Sequence, residues 1–104
     1  PMTVEETKLR VGDLEVDLLR QVASRAGQAI ALQPRELRLL CFLMRHSDRV
    51  LTRTMLLEGV WDFHFDPNTN VVETHISRLR NKIDKPFETQ LIHTVRGTGY
   101  SLHV

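Results

Sequence analysis

The first third of the chain alternates apolar and polar residues over short stretches, which is the pattern of strands with one buried face. Between Lys8 and Leu32 these stretches are interrupted at Gly12-Asp13 and at Ala26-Gly27, where a glycine permits a tight turn. The pattern therefore predicts three or four short antiparallel strands in this part of the chain.

Helical spacing of apolar residues begins after these strands. Pro34 suits a first helical turn, and Gln33 with Glu36 three residues later resembles a capping box. A first helix is therefore predicted from about Pro34 to about His46. Its apolar residues lie nearly all round the helical wheel, which indicates a central, buried helix.

A second helix is predicted over residues 53–60, because Thr52 is a good helix cap and Leu51 before it suits a short strand. The segment that follows, WDFHFDP at residues 61–67, is predicted to be a loop from its aspartates, proline and aromatic residues.

A third helix is predicted from the segment NVVETHISRLRNKI, residues 70–83, whose helical wheel has two distinct faces. At about 100° per residue, Ile76, Leu79 and Ile83 all fall within about 40° of Val72, so this side belongs to the core. The opposite side, here named the polar face, consists of Asn70, Thr74, Ser77, Arg78 and Asn81.

The polar face has an unusual charge pattern for a solvated helix, because no acidic residue occurs between Thr74 and Lys82. Surface helices commonly pair glutamate with lysine at four-residue spacing, whereas Arg78, Arg80 and Lys82 are unopposed here. Short polar side chains with unopposed arginine are typical of a helix that lies in a DNA groove. A basic, merely solvated surface helix is the alternative interpretation.

The last two predicted strands, residues 91–95 and 100–104, are joined by Arg96-Gly97-Thr98-Gly99. Two glycines give the hairpin a thin tip that could approach phosphates closely or enter a minor groove. After a helix suited to a DNA groove, such a hairpin is predicted to be the wing of a winged helix-turn-helix. A plain edge ribbon that closes a sheet is the alternative.

Composition limits the chain to one small domain, since it has 104 residues of which 41% are hydrophobic. No apolar run approaches the roughly 20 residues of a membrane span, and the first residues lack the apolar centre of a secretory signal. We therefore expect a cytoplasmic module. The net charge is only +1, but basic residues concentrate between Arg78 and Lys82 and at Arg96, a localised patch that suits a DNA-binding domain.

Catalysis and metal binding find little support in the sequence. No nucleophile, base and orienting group occur at suggestive spacing, and Cys41 lies in an apolar run that predicts burial. Asp62, His64 and Asp66 alternate along the predicted loop, but three such residues without a fourth ligand more often shape a turn. We expect a protein that is not an enzyme and has no metal or cofactor.

Three segments, LQPRELRLLCFL, HISRLRNKID and LIHTVRGTGY, occur in an order and spacing that resembles the DNA-binding effector domain of OmpR/PhoB-type two-component response regulators. The resemblance covers essentially the whole chain and implies an α+β winged helix-turn-helix that controls transcription. It also implies an N-terminal phosphoryl-accepting receiver domain in the full protein. Residues 1–7 are accordingly interpreted as a linker remnant and residues 8–104 as the DNA-binding domain.

The resemblance also implies roles for individual residues. It places the third helix, about 69–83, in the major groove and the hairpin wing, about 91–104, on the adjacent backbone or minor groove. Arg78 is the first candidate for base recognition, since a guanidinium can grip guanine at two atoms. The other candidate base readers are Thr74, Ser77 and Asn70. The candidate contacts to the DNA backbone are His75, Arg80, Arg53, Thr94, Arg96, Lys82 and Thr98.

The implied partner is double-stranded DNA, bound by tandem copies on direct repeats, with the isolated domain monomeric. The resemblance also implies that the loop at residues 61–68 contacts RNA polymerase. Phe63 and Phe65 would serve that contact if exposed, although both could instead be core residues. The alternative function is a winged-helix interaction module that binds an acidic protein. The lack of large apolar anchors on the polar face argues against it.

Overall fold

The computed structural model describes residues 7–104, so the predicted linker remnant lies outside the described residues except for Thr7. The strands are β1 (Lys8–Val11), β2 (Leu14–Asp17), β3 (Val22–Arg25), β4 (Gln28–Ile30), β5 (Leu51–Thr52), β6 (Ile92–Val95) and β7 (Gly99–Leu102). The helices are α1 (Pro34–Arg45), α2 (Arg53–Trp61) and α3 (Val71–Ile83). The predicted N-terminal sheet, three helices and C-terminal hairpin are confirmed.

The N-terminal strands form a four-stranded antiparallel sheet in the order β1-β2-β3-β4. Gly12 in the first turn and Gly27 in the last have positive φ values of 58° and 79°, the backbone region that glycine enters without steric cost. One side chain in two along β2 and β3 points inward, so Leu14, Val16 and Ala23 are buried against the helices.

Helix α1 lies at the centre of the fold, as predicted, and packs against α2, α3, β1 and β7. It begins at Pro34, where the carboxylate of Glu36 accepts a 2.7 Å hydrogen bond from the Gln33 N–H and completes half of the expected capping box. Leu39, Leu40 and Leu43 are fully buried and fill the space between the two sheets.

Helix α2 is one residue longer than predicted, because Trp61 is its last residue and not the first residue of the loop. The helix ends where Asp62 adopts a left-handed conformation with φ of 60°, and the Phe63 N–H then bonds to the Leu57 carbonyl at 3.0 Å. Trp61 is half-buried, and its ring meets the His75 ring edge-on at a centroid distance of 5.0 Å. The aromatic ring therefore joins α2 to α3.

The C-terminal hairpin pairs with the short strand between α1 and α2, so that β5, β7 and β6 form a three-stranded sheet. Gly99 faces Thr52 in this sheet, and a Cβ atom at position 99 would lie 2.0 Å from the Leu51 carbonyl oxygen. Only glycine fits there. Of the two glycines at the predicted tip, Gly97 forms the turn, with φ of 74°, whereas Gly99 permits the close contact with β5.

A buried ion pair that no local sequence pattern indicates joins the N-terminal sheet to the end of α3. The Arg25 side chain, on β3, has no exposed surface and pairs with Asp84 after α3 at 3.1 Å and with Asp13 at 3.0 Å. Asp84 in turn accepts hydrogen bonds from the backbone N–H groups of Leu91 and Ile92 at 3.0 and 3.1 Å. The N-terminal sheet, the end of α3 and the start of the hairpin are thereby tied together.

Among residues 7–104, no helix has both the length and the apolar composition needed to cross a bilayer.

Candidate nucleic-acid interface

Helix α3 has the orientation that its sequence predicts. Val72, Ile76, Leu79 and Ile83 are buried, with exposures of 1% or less, and Ile76 and Leu79 anchor the middle of the helix. The polar face points outward, with Thr74 half-buried and its other members exposed. The four predicted base readers lie together around one shallow depression, which is lined by Asn70, Glu73, Thr74, Ser77 and Arg78.

Two of the predicted base readers, Asn70 and Arg78, have side chains that are not engaged by neighbouring residues within residues 7–104. Asn70 is the residue that precedes α3, and its side chain makes no capping hydrogen bond. Arg78 is exposed in the middle of the helix, and none of the ion pairs within residues 7–104 includes it. Both side chains therefore keep their hydrogen-bonding groups available to a ligand.

On one flank of the polar face, Arg80 connects α3 to the hairpin. It donates a 2.6 Å hydrogen bond to the Thr94 hydroxyl and a 3.3 Å bond to the Ile92 carbonyl, and its guanidinium lies 5.7 Å from the centre of the Tyr100 ring. Arg80 and Thr94, both predicted backbone contacts, thus form a single polar cluster. The remaining guanidinium N–H groups and the cationic charge stay at the surface.

The hairpin tip carries the other two predicted residues of the wing. Arg96 and Thr98 are exposed on either side of Gly97, and the Thr98 N–H closes the turn with a 3.0 Å bond to the Val95 carbonyl. The tip is therefore narrow and ordered by its own backbone, with one cation at its end.

On the opposite flank, His75 and Lys82 lie near the first turn of α1. His75 Nδ1 is 2.9 Å from the Val71 carbonyl oxygen, which assigns its proton to Nδ1 when the ring is neutral. The Lys82 ammonium is 2.7 Å from a carboxylate oxygen of Glu36, which is only 2% exposed. Burial alone would raise the pKa of Glu36, but hydrogen bonds from Lys82 and the Gln33 N–H outweigh it and lower that pKa.

Arg53 lies at the start of α2 as predicted, but acidic side chains surround it. Its guanidinium pairs with Asp66 at 2.7 Å and with Glu73 at 3.0 Å, and it also donates to the Thr69 carbonyl. Arg53 therefore holds the loop before α3 against α2. The sequence did not indicate the contact with Glu73, because the two residues are 20 positions apart and the pairing leaves no local pattern.

The loop between α2 and α3 places its two phenylalanines differently. Phe63 is half-buried and packs on the core, whereas Phe65 is 66% exposed, and the two rings stack at a centroid distance of 5.5 Å. Asp66 is engaged by Arg53, while the Asp62 and His64 side chains are more than four-fifths exposed. Asp62 Oδ1 and His64 Nε2 are 3.9 Å apart, but within residues 7–104 Asp66 does not join them in a group of three possible metal ligands.

Comparison with known proteins agrees with this geometry. Residues 27–102 match the family model described as "Transcriptional regulatory protein, C terminal". The chain is 49% identical over 100 residues to the transcriptional activator protein IrlR of Burkholderia pseudomallei, which covers 96% of this chain and 44% of IrlR. It is 46% identical over 99 residues to the regulatory protein CusR of Escherichia coli, with coverage of 95% and 44%. The chain thus spans less than half the length of these curated relatives.

A solved structure shows the same architecture. The RstA DNA-binding domain of Klebsiella pneumoniae, crystallised in complex with the RstA box, superposes with a TM-score of 0.84 at 28% identity. The alignment covers 94% of this chain and 98% of that domain.

The fold and the exposed, cationic α3 and hairpin define a winged helix-turn-helix DNA-binding domain. The chain belongs to the family of C-terminal DNA-binding domains of OmpR/PhoB-type response regulators. It is therefore the effector domain of a transcriptional regulator and not an enzyme.

Proposed function

We propose that the domain binds specific sequences of double-stranded DNA with α3 in the major groove and the β6–β7 hairpin on the adjacent backbone or minor groove. The observation that carries this proposal is the polar face, where Arg78 and three short polar side chains are exposed beside a narrow, cationic hairpin. The buried side of α3 fixes the helix so that this face points away from the body of the domain.

Within this arrangement, Arg78 recognises a base, and Thr74, Ser77 and Asn70 contact neighbouring base edges. A guanidinium matches the two acceptors of guanine, and short hydroxyl and amide groups suit the remaining positions. The contacts to phosphates come from residues on the two flanks and at the wing: His75, Arg80, Arg53, Thr94, Arg96, Lys82 and Thr98. For Arg53 to bind a phosphate, the phosphate must compete with Asp66 and Glu73.

We further propose that two copies bind direct repeats whose centres are about 10 to 10.5 base pairs apart, since this spacing presents the same groove to each copy. In the full protein, which acts in the cytoplasm, a receiver domain precedes this domain, and residues 1–7 belong to the connecting linker. The length of the relatives supports this placement. The loop at residues 61–68 is proposed to contact RNA polymerase through Phe65, because its ring is largely exposed.

Selection from a random pool of duplex DNA tests sequence-specific binding. We expect the domain to enrich one motif, and we expect Arg78→Ala to lose about 1–3 kcal/mol of binding free energy on that motif, as for one lost bidentate base contact. Binding of the variant to scrambled DNA should change little. Titration of both duplexes by fluorescence anisotropy measures the two losses.

Arg20→Ala is a suitable control, because Arg20 is exposed in the turn between β2 and β3 and lines a depression to which α3 contributes no residue. It should retain the selected motif and its affinity. Equal losses for Arg78→Ala on selected and scrambled DNA would exclude base recognition by Arg78. Failure to enrich any sequence would overturn sequence-specific binding and favour the protein-interaction alternative.

A phosphate contact from the wing should appear in the salt dependence of binding. Arg96→Ala is expected to make the negative slope of log K against log salt concentration less steep by about 0.9. Each phosphate that the protein neutralises releases counterions and adds about this amount to the slope. Its affinity should fall by a similar factor on selected and scrambled duplexes. A slope unchanged between about 50 and 200 mM salt would remove Arg96 from the interface.

A further inference from the structure

A groove lies between the first turn of α1 and the flank of α3 that faces away from the hairpin. Its volume is about 740 Å³, and it is open to solvent. Its lining consists of Gln33, Pro34, Arg35, Glu36, His75, Arg78, Asn81 and Lys82. The groove is thus continuous with the polar face through Arg78 and Asn81.

The charges of this groove favour an anion. Arg35, Arg78 and Lys82 are cationic, and His75 adds a polar ring. Glu36 is the one acidic side chain in the lining, but it is buried and already bonded to Lys82 at 2.7 Å. The part of the groove open to solvent therefore offers cations and N–H donors without an exposed carboxylate.

The position of Arg35 sets it apart from the other arginines of α1. Its Nη1 donates a 2.6 Å hydrogen bond to the Val60 carbonyl near the end of α2, while the residue as a whole stays exposed. This bond uses one of five N–H donors and holds the guanidinium at the groove, so that binding a ligand there costs less side-chain entropy. None of the ion pairs within residues 7–104 involves Arg35.

If α3 lies in the major groove, the flank of α3 beside α1 faces one of the two DNA backbones. The two walls of the groove are the two DNA strands, so the two flanks of the helix face different backbones. On the helical wheel of α3, Arg80 lies on the hairpin side of the polar face, whereas His75 and Lys82 lie on the side of α1. The hairpin side therefore faces the phosphates of one strand, and the groove beside α1 faces the phosphates of the other.

We propose that α1 is a DNA-contacting element and that Arg35, together with His75 and Lys82, binds a backbone phosphate of the strand opposite the one held by Arg80. This inference rests on the proposed binding of α3 in the major groove. It adds Arg35, which lies outside α3 and the wing, to the interface, and it clamps the duplex from both strands.

Arg35→Gln tests the proposal on the selected duplex, because glutamine removes the charge and keeps a side-chain N–H donor. The slope of log K against log salt concentration should fall by about 0.9, with an equal loss of affinity on scrambled DNA. Arg38→Gln is the matched control, since Arg38 is exposed on the same helix but lines the separate depression between α1 and β2. Its slope should equal that of the wild-type domain.

Duplexes in which one phosphate at a time is replaced by a neutral methylphosphonate identify the strand. One replacement should weaken DNA binding by the wild-type domain but should not weaken binding by the Arg35→Gln variant. A second replacement should lose its effect in Arg80→Gln, and the two should lie on opposite strands. Location of both on one strand would overturn the two-strand assignment.

Arg35→Lys separates loss of charge from disturbance of the fold. This variant should keep a slope near the wild-type value, and all the variants should melt at temperatures well above that of the binding assay. If Arg35→Gln behaves like Arg38→Gln, or if Arg35→Lys loses as much slope as Arg35→Gln, the phosphate site at Arg35 is wrong. Wild-type binding in the same assay distinguishes this failure from failure of the proposed function.

Discussion

Replacing Arg25 with leucine is expected to lower the free energy of unfolding by about 3–5 kcal/mol, because it leaves a buried carboxylate without its cation. Asp84 is 2% exposed and would keep its two backbone N–H donors but lose the guanidinium at 3.1 Å. The carbonyl groups of Ile83 and Thr89 would lose a donor at the same time. Urea denaturation followed by circular dichroism measures the change.

Arg10→Leu is the matched control for this experiment. Arg10 is on the same sheet and pairs with Glu15 at 2.5 Å, but its side chain is 70% exposed. Exposed ion pairs contribute little to stability because solvent screens them, so this variant should be nearly as stable as the wild-type domain. Similar losses for the two variants would show that the Arg25–Asp84 pair does not have the structural role described above.

Leu79→Ala is expected to destabilise the domain by about 2–5 kcal/mol through loss of buried surface and formation of a cavity. Leu79 has no exposed surface and lies in the middle of the apolar side of α3, between Ile76 and Ile83. In a domain of this size, each kcal/mol lowers Tm by about 4–8 °C, so the shift is readily measured by a thermal melt.

The control is Ser77→Ala on the same helix, because Ser77 is exposed on the polar face. Surface substitutions of this kind change stability by about 0.5 kcal/mol or less. A melt of Leu79→Ala that coincides with those of Ser77→Ala and the wild-type domain would mean that α3 is rotated about its axis. In that case the polar face could not be the DNA-binding surface.

Local patterns in the sequence were sufficient to predict most of the fold. The rotation of α3 follows from the 3.6-residue period of its aliphatic side chains, and the N-terminal hairpins follow from turns at Gly12 and Gly27. The end of α2 was predicted one residue early, because Trp61 was grouped with the aromatic and acidic residues after it. Its contact with His75, which supports its place in the helix, is tertiary and leaves no local pattern.

Charge pairing was the part of the site that sequence reasoning could not supply. Arg25 and Asp84 are 59 residues apart, and Lys82 and Glu36 are 46 apart, so nothing in either neighbourhood specifies the partner. From the sequence alone, Arg53 and Lys82 are predicted to be free cations that contact DNA. The structure instead places each beside a carboxylate, whereas Arg78 and Arg96 are exposed and outside the ion pairs of residues 7–104, as is Arg35 at the start of α1.

The tight contact of Gly99 with Leu51 has a mechanical consequence. Because β7 is hydrogen-bonded to the strand that leads directly into α2, the hairpin and the helix-turn-helix cannot swing independently. The spacing between Arg78 and Arg96 is thus fixed by the fold. If both arginines contact DNA as proposed, a duplex whose grooves do not match this spacing must bend or twist to reach them, and the energy of that deformation depends on base steps that no side chain touches.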